Sequence, residues 1–82
     1  MSNFDLTGTV ALVTGASGGI GSATVQALAG AGARVIATDM AQTATVAGAT
    51  DYRPLDVTDE DGWAALAAYV DATYGRLDIL VN

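Results

Sequence analysis

The sequence predicts an α/β fold on a parallel sheet, and two observations carry that expectation. Short, mostly apolar runs alternate along the chain with longer stretches whose apolar residues recur every three or four positions. Four glycines also crowd into the seven positions from Gly15 to Gly21, where the first apolar run gives way to the first helical stretch. Strand and helix in strict alternation build right-handed crossovers, with helices on both faces of a parallel sheet.

The first element is Val10 to Val13, an apolar run ending near Gly15 that fits a strand buried on both faces. A helix follows from Ile20, with Ile20, Ala23, Ala27, Leu28 and Ala31 as its expected apolar stripe and Gly32 as its stop. Arg34 to Thr38 reads as the second strand, ending at Asp39. Met40 to Thr50 is rich in Ala and Thr with Gly48 inside, and supports at best a short, weak helix. Tyr52 to Leu55 is the third strand, and Pro54 places it at or near an edge. Thr58 is expected to cap the next helix, with Asp61 at capping-box spacing and Asp59 and Glu60 favouring the positive end of its dipole. Its buried stripe is Trp63, Leu66, Ala67, Val70 and Tyr74, and Gly75 closes it. Leu77 to Val81 is the fourth strand. No repeat, low-complexity tract or linker interrupts the series. The expected strand order is 3-2-1-4, the first half only of a Rossmann-like doubly wound sheet.

Composition narrows the chemistry. The 82 residues carry nine acids against three arginines, for a net charge of −6, with no lysine, histidine or cysteine. Neither a nucleic acid nor an anionic membrane is expected as a partner of so acidic a chain. Without cysteine there is no disulfide or thiolate zinc site, and without histidine the commonest metal ligand and general base is missing. Met1 to Asp5 has neither the basic start nor the apolar stretch of a secretory leader, and no apolar run reaches the length of a membrane span. A soluble cytoplasmic protein is expected. About half of the residues are apolar, which excludes disorder, yet a domain this small buries only about 60% of its unfolded-chain surface.

Glycines at a strand-to-helix junction let an anion approach the free N–H groups of the first helical turn. A plain flexible turn would also use them. The spacing differs from the G-x-G-x-x-G fingerprint, and no lysine follows as in a P-loop. Thr14-Gly15-Ala16-Ser17-Gly18-Gly19-Ile20-Gly21 instead resembles the Thr-Gly-x-x-x-Gly-x-Gly pattern of the short-chain dehydrogenase/reductases. The resemblance runs from "LTGTVALVTG" to "LDILVN", the N-terminal third of such an enzyme. Family members usually continue that last phrase as Asn-Asn-Ala-Gly, of which Asn82 is the first asparagine.

The resemblance implies an NAD-dependent oxidoreductase that passes hydride between nicotinamide and an alcohol or carbonyl substrate, a homo-oligomer when complete. It places Gly15, Ser17, Gly19, Ile20 and Gly21 at the cofactor, together with Asp39, Asp56, Val57 and Asn82. Asp39 lies eighteen residues after Gly21, where a Rossmann half puts a carboxylate against the adenosine ribose. A simple turn or N-cap residue is the lesser reading of the same position. Family members that use NADP commonly carry a basic residue where this chain has Gly18 or Met40, so NAD is the expected cofactor. Asp56 would bond the adenine amino group and the Val57 amide the ring, although local turn bonding accounts for Asp56 as well.

No catalytic group is assigned. Tyr52, Tyr69 and Tyr74 lack the lysine that follows the family tyrosine by four positions, and the family serine lies beyond the fourth strand. Trp63 and Tyr74 read as packing residues. Residues 1–82 are therefore expected to be the N-terminal part of a single NAD-binding domain, truncated at its fourth strand. The alternative is an autonomous, non-catalytic nucleotide-binding or structural module. The short segment between Asp39 and Asp56 resembles dihydrodihydroxybenzoate dehydrogenase-like members, while acyl-carrier-protein reductases and sugar-alcohol dehydrogenases fit no less well.

Overall fold

The computed structural model describes residues 5–82. The leader expected to be absent from Met1 to Asp5 falls almost wholly on residues 1–4, outside the described residues. In chain order the elements are β1 (Val10–Val13), α1 (Gly19–Gly30), β2 (Arg34–Asp39), β3 (Asp51–Pro54), α2 (Glu60–Tyr74) and β4 (Ile79–Val81). The four strands form one parallel sheet in the order β3-β2-β1-β4. Rossmann-like architecture is thus confirmed, with the 3-2-1-4 order read from the alternation of elements.

Each strand sits where its sequence allows. Val10, Ala11, Leu12 and Val13 are all buried, because β1 is flanked by β2 and β4 and covered on both faces. Their side chains alternate between two cores. Ala11 and Val13 join Ala16, Val25, Val35 and Ala37 under α1, while Val10 and Leu12 join Ile36, Leu55, Leu66 and Val70 under α2. Pro54 ends β3 at the sheet edge, where its missing N–H costs no ladder bond.

Four local expectations need correction. The stripe of α1 is rotated: Ile20, Ala23 and Ala27 are exposed, and the helix buries Val25, with Leu28 and Ala29 packed beside it. Close approach of Gly21 to the preceding turn sets that rotation, and small alanines carry too little apolar area to oppose it. The cap of α2 is Asp59, whose carboxylate accepts from the Asp61 amide at 3.1 Å, because Asp56 engages the Thr58 hydroxyl. The crossover from β2 to β3 contains no helix, since Met40 to Thr50 buries only Val46 and Ala49 partly against the α1 core. Ala67, placed on the stripe of α2, is exposed. Strand ends differ by a residue or two: β3 begins at Asp51 and β4 at Ile79. Gly75 ends α2 in the left-handed conformation, as its position implied.

Among the described residues no helix is long and apolar enough to cross a membrane.

Candidate nucleotide site at the carboxyl ends of the strands

Because all four strands run the same way, the residues just beyond their carboxyl ends meet along one rim. The glycine turn follows β1, Asp39 ends β2, Asp56 and Val57 follow β3, and Asn82 follows β4. From β1 the chain crosses over to β2 on one side, while β4 lies on the other, so the turn stands at the point where sheet order reverses.

The turn is built by backbone demands. Gly15 has φ +62°, a conformation that side chains resist. Its carbonyl oxygen accepts from the Gly18 amide at 3.2 Å, and the Ala16 amide donates to the Thr38 carbonyl at 2.9 Å, which ties the turn to β2. A Cβ on Gly21 would stand 2.1 Å from the Gly15 carbonyl oxygen, so α1 can start where it does only with glycine there. At Gly19 an added Cβ would meet nothing within 4 Å, which leaves open space over the turn. Gly18 caps α1 without any side-chain hydrogen bond. Among the described residues the amides of Gly19, Ile20 and Gly21 have no acceptor. Three free donors with the positive end of a helix dipole behind them, beside an open cradle, fit the pyrophosphate of a dinucleotide. Ile20 stands 88% exposed beside them, which explains why it contributes nothing to the core.

Asp39 is drawn into this turn. Its Oδ2 accepts from the Ser17 amide at 3.1 Å and from the Ser17 hydroxyl, and its Oδ1 accepts from the Met40 amide at 2.8 Å. These donors hold its carboxyl below the usual carboxylate range, the Ser17 hydroxyl most of all. Asp39 is therefore a fixed negative charge at the mouth of the glycine turn.

Asp56 and Val57 are held by local bonds. Asp56 Oδ1 accepts from the Thr58 amide at 2.9 Å and from its hydroxyl at 2.7 Å, bonds that lower its pKa. This is the local turn bonding that the sequence left open, and it leaves the second carboxylate oxygen available. The Val57 carbonyl accepts from Trp63 Nε1 at 2.9 Å, so the tryptophan fixes that peptide as well as packing on the core. Asn82 Oδ1 accepts from the Thr14 hydroxyl at 3.0 Å, joining the ends of β4 and β1. Sequence reasoning missed the roles of Trp63 and Ser17 as supports, since each depends on a contact between separate segments.

Two of the three tyrosines lie elsewhere. Tyr69 and Tyr74 both donate to Asp51 Oδ2, at the opposite end of β3 from Asp56, with Arg53 over the Tyr69 ring and Arg34 over that of Tyr74. The Tyr52 hydroxyl instead reaches the rim, 3.1 Å from the Asp39 carbonyl oxygen and 2.6 Å from that of Ala41. An apolar groove of about 300 Å³ between α2 and β4, lined by Leu12, Trp63, Leu66, Val70, Leu77 and Leu80 among others, includes none of the glycine-turn residues.

Comparison with known proteins agrees with the Rossmann-like fold. The chain is 44% identical to D-threitol dehydrogenase of Mycolicibacterium smegmatis, with 98% of this chain and 34% of that protein covered. It is 40% identical to a 3-oxoacyl-acyl-carrier-protein reductase of Thermotoga maritima, covering 94% of this chain and 35% of the reductase. The chain thus spans about a third of the length of the curated relatives it matches. Among solved structures, a citronellol catabolism dehydrogenase of Pseudomonas aeruginosa superposes with a TM-score of 0.88 at 27% identity, over 100% of this chain and 38% of that one. The family model described as short chain dehydrogenase matches residues 9–82, and the chain belongs to that family.

Proposed function

We propose that this chain supplies the adenosine- and pyrophosphate-binding half of an NAD site in a cytoplasmic short-chain dehydrogenase. The observation that carries the reading is the joining of Asp39 to the glycine turn through Ser17, beside three helix amides without acceptors. The pyrophosphate would lie over Gly15, Ser17, Gly19 and Ile20, with Gly21 permitting the approach of the helix. Asp39 would accept from the ribose hydroxyls and repel a 2′-phosphate, which favours NAD over NADP. Asp56 and the Val57 amide would receive the adenine, and Asn82 would close the site beside β1. When bound, the nicotinamide supplies hydride transfer to or from an alcohol or carbonyl carbon.

Residues 1–82 are read as the N-terminal part of a single Rossmann domain, whose complete form is a homo-oligomer acting on a small molecule. The threitol dehydrogenase and acyl-carrier-protein reductase relatives bracket the substrate class without choosing within it. The alternative of an autonomous, non-catalytic module has no observation in its favour.

Titration of the chain with AMP and with adenosine 2′,5′-bisphosphate tests the reading. AMP should bind more tightly, and Asp39→Ala should narrow the difference. Tighter binding of the bisphosphate by the unmutated chain would overturn the cofactor assignment.

A further inference from the structure

Asp39 is more heavily occupied than a ribose receptor can remain. A carboxylate offers about four acceptor positions. Three are taken: two on Oδ2 by the Ser17 amide and hydroxyl, and one on Oδ1 by the Met40 amide. A ribose bearing both 2′- and 3′-hydroxyls needs two. Of the three resident donors, the two amides are fixed by the backbone, whereas the Ser17 hydroxyl can turn away about its own side-chain torsion at small cost. Ser17 is exposed, so water can satisfy its released hydroxyl.

We infer that the Ser17 hydroxyl is a latch on the ribose site, a resident donor that competes with the nucleoside for Asp39 and must swing out as a ribose with both hydroxyls enters. The inference rests on the proposed nucleotide function and assigns Ser17 a regulatory part in it. The Ser17 amide, which every substitution except proline retains, keeps the carboxylate in place after the latch opens. Selectivity follows from the same competition. A nucleoside with only one free ribose hydroxyl finds the remaining position on Oδ1 without opening the latch, and a nucleoside with neither hydroxyl gains nothing from opening it.

The test compares adenosine with 2′,3′-dideoxyadenosine, titrated into the chain and followed by NMR, for the unmutated protein, Ser17→Ala, Ser17→Thr and Asp39→Asn. Ser17→Ala should bind adenosine roughly ten- to hundredfold more tightly, the span of one net hydrogen bond to a charged group. It should bind the dideoxynucleoside no differently, and Ser17→Thr should restore the unmutated adenosine affinity. Equal changes for both nucleosides would mean that Ser17 only shapes the loop, and weaker adenosine binding by Ser17→Ala would make it a support for Asp39. Either result overturns the latch while leaving the nucleotide site standing. An adenosine affinity indifferent to Asp39→Asn, or no binding of either nucleoside by the unmutated chain, refutes the nucleotide reading itself and the latch with it.

Discussion

Gly21 and Gly15 touch so closely that a single methyl group on Gly21 would lie 2.1 Å from the carbonyl oxygen of Gly15 and 2.9 Å from the Ala16 Cα. Both obstacles are backbone, so neither can give by rotating a side chain. Gly21→Ala should therefore cost ~3 kcal/mol or more, the upper end of overpacking penalties, and should lower the melting temperature. Gly19→Ala makes the informative contrast. Its Cβ enters open space, and alanine is the better helix former by about 0.5–1 kcal/mol, so stability should hold or rise. The methyl would stand over the proposed phosphate cradle, and AMP binding should weaken. Calorimetry and AMP titration of the two variants should move in opposite patterns; a Gly21→Ala chain of unchanged stability would contradict the packing.

Asp39→Ala should weaken AMP by about 1.5–3 kcal/mol, roughly ten- to hundredfold, as expected for lost hydrogen bonds to a charged group. Binding should also fall with acid. Hydrogen bonds from Ser17 and Met40 stabilise the ionised carboxyl and depress its pKa, so its favourable contribution is complete above the usual value of 3.8 and disappears as pH falls through the lower folded value. A binding curve that already declines well above that range would point to a different titrating group.

The Tyr74 hydroxyl titrates late. Burial, and then the negative charge of Asp51, push it from the ordinary 10.0 up to about 12. A raised folded-state value means that the protonated phenol is favoured by folding. Its contribution is complete below pH 10.0 and is lost as pH rises towards about 12. Asp51→Ala removes the neighbouring charge and its acceptor but not the burial, so tyrosinate absorbance should appear at lower pH while remaining above that of a free tyrosine. An unchanged alkaline titration would show that Asp51 does not act on the ring.

The chain should self-associate. Among the described residues β4 pairs with β1 alone, and Leu80 and Leu77 stand 54% and 46% exposed beside the apolar groove. Asp78, the one charge within this segment, is drawn towards β1: it accepts from the Val10 amide at 2.8 Å and pairs with the neighbouring Arg76 at 2.8 Å. Open, apolar strand edges invite pairing. Sedimentation over a concentration series should show a rising mass, which Leu80→Lys should reduce. A mass independent of concentration would exclude association through this edge.

What could be read in advance follows the strength of the local signal. Val10 to Val13 and Val35 to Ala37 announce themselves because strands buried on both faces allow few polar residues. The glycine turn and Asp39 could be paired from spacing, since parallel strands bring their carboxyl ends to one rim. The face of α1 was illegible: alanines at Ala23, Ala27 and Ala31 imitate a stripe without the area to enforce one, and Val25 alone is fully buried. The cap at Asp59 was displaced by one position because Thr58 had a nearer partner in Asp56. The Ser17–Asp39 and Trp63–Val57 bonds depend on side-chain torsions and on the meeting of separate segments, which no periodicity encodes.

The two-sided pairing of β1 has a kinetic consequence. Its residues Ala11 to Val13 are bonded into ladders with both β2 and β4, whereas among the described residues β3 and β4 each have a ladder on one side only. Protons on the amides of β1, and of β2, which is likewise paired on both sides, can reach solvent only when the sheet itself opens, and they should be the last to exchange for deuterium. The glycine turn springs from the final residue of β1. Its floor is therefore tied to the slowest clock in the molecule, while Asp56 and Asn82 hang from strands that open sooner.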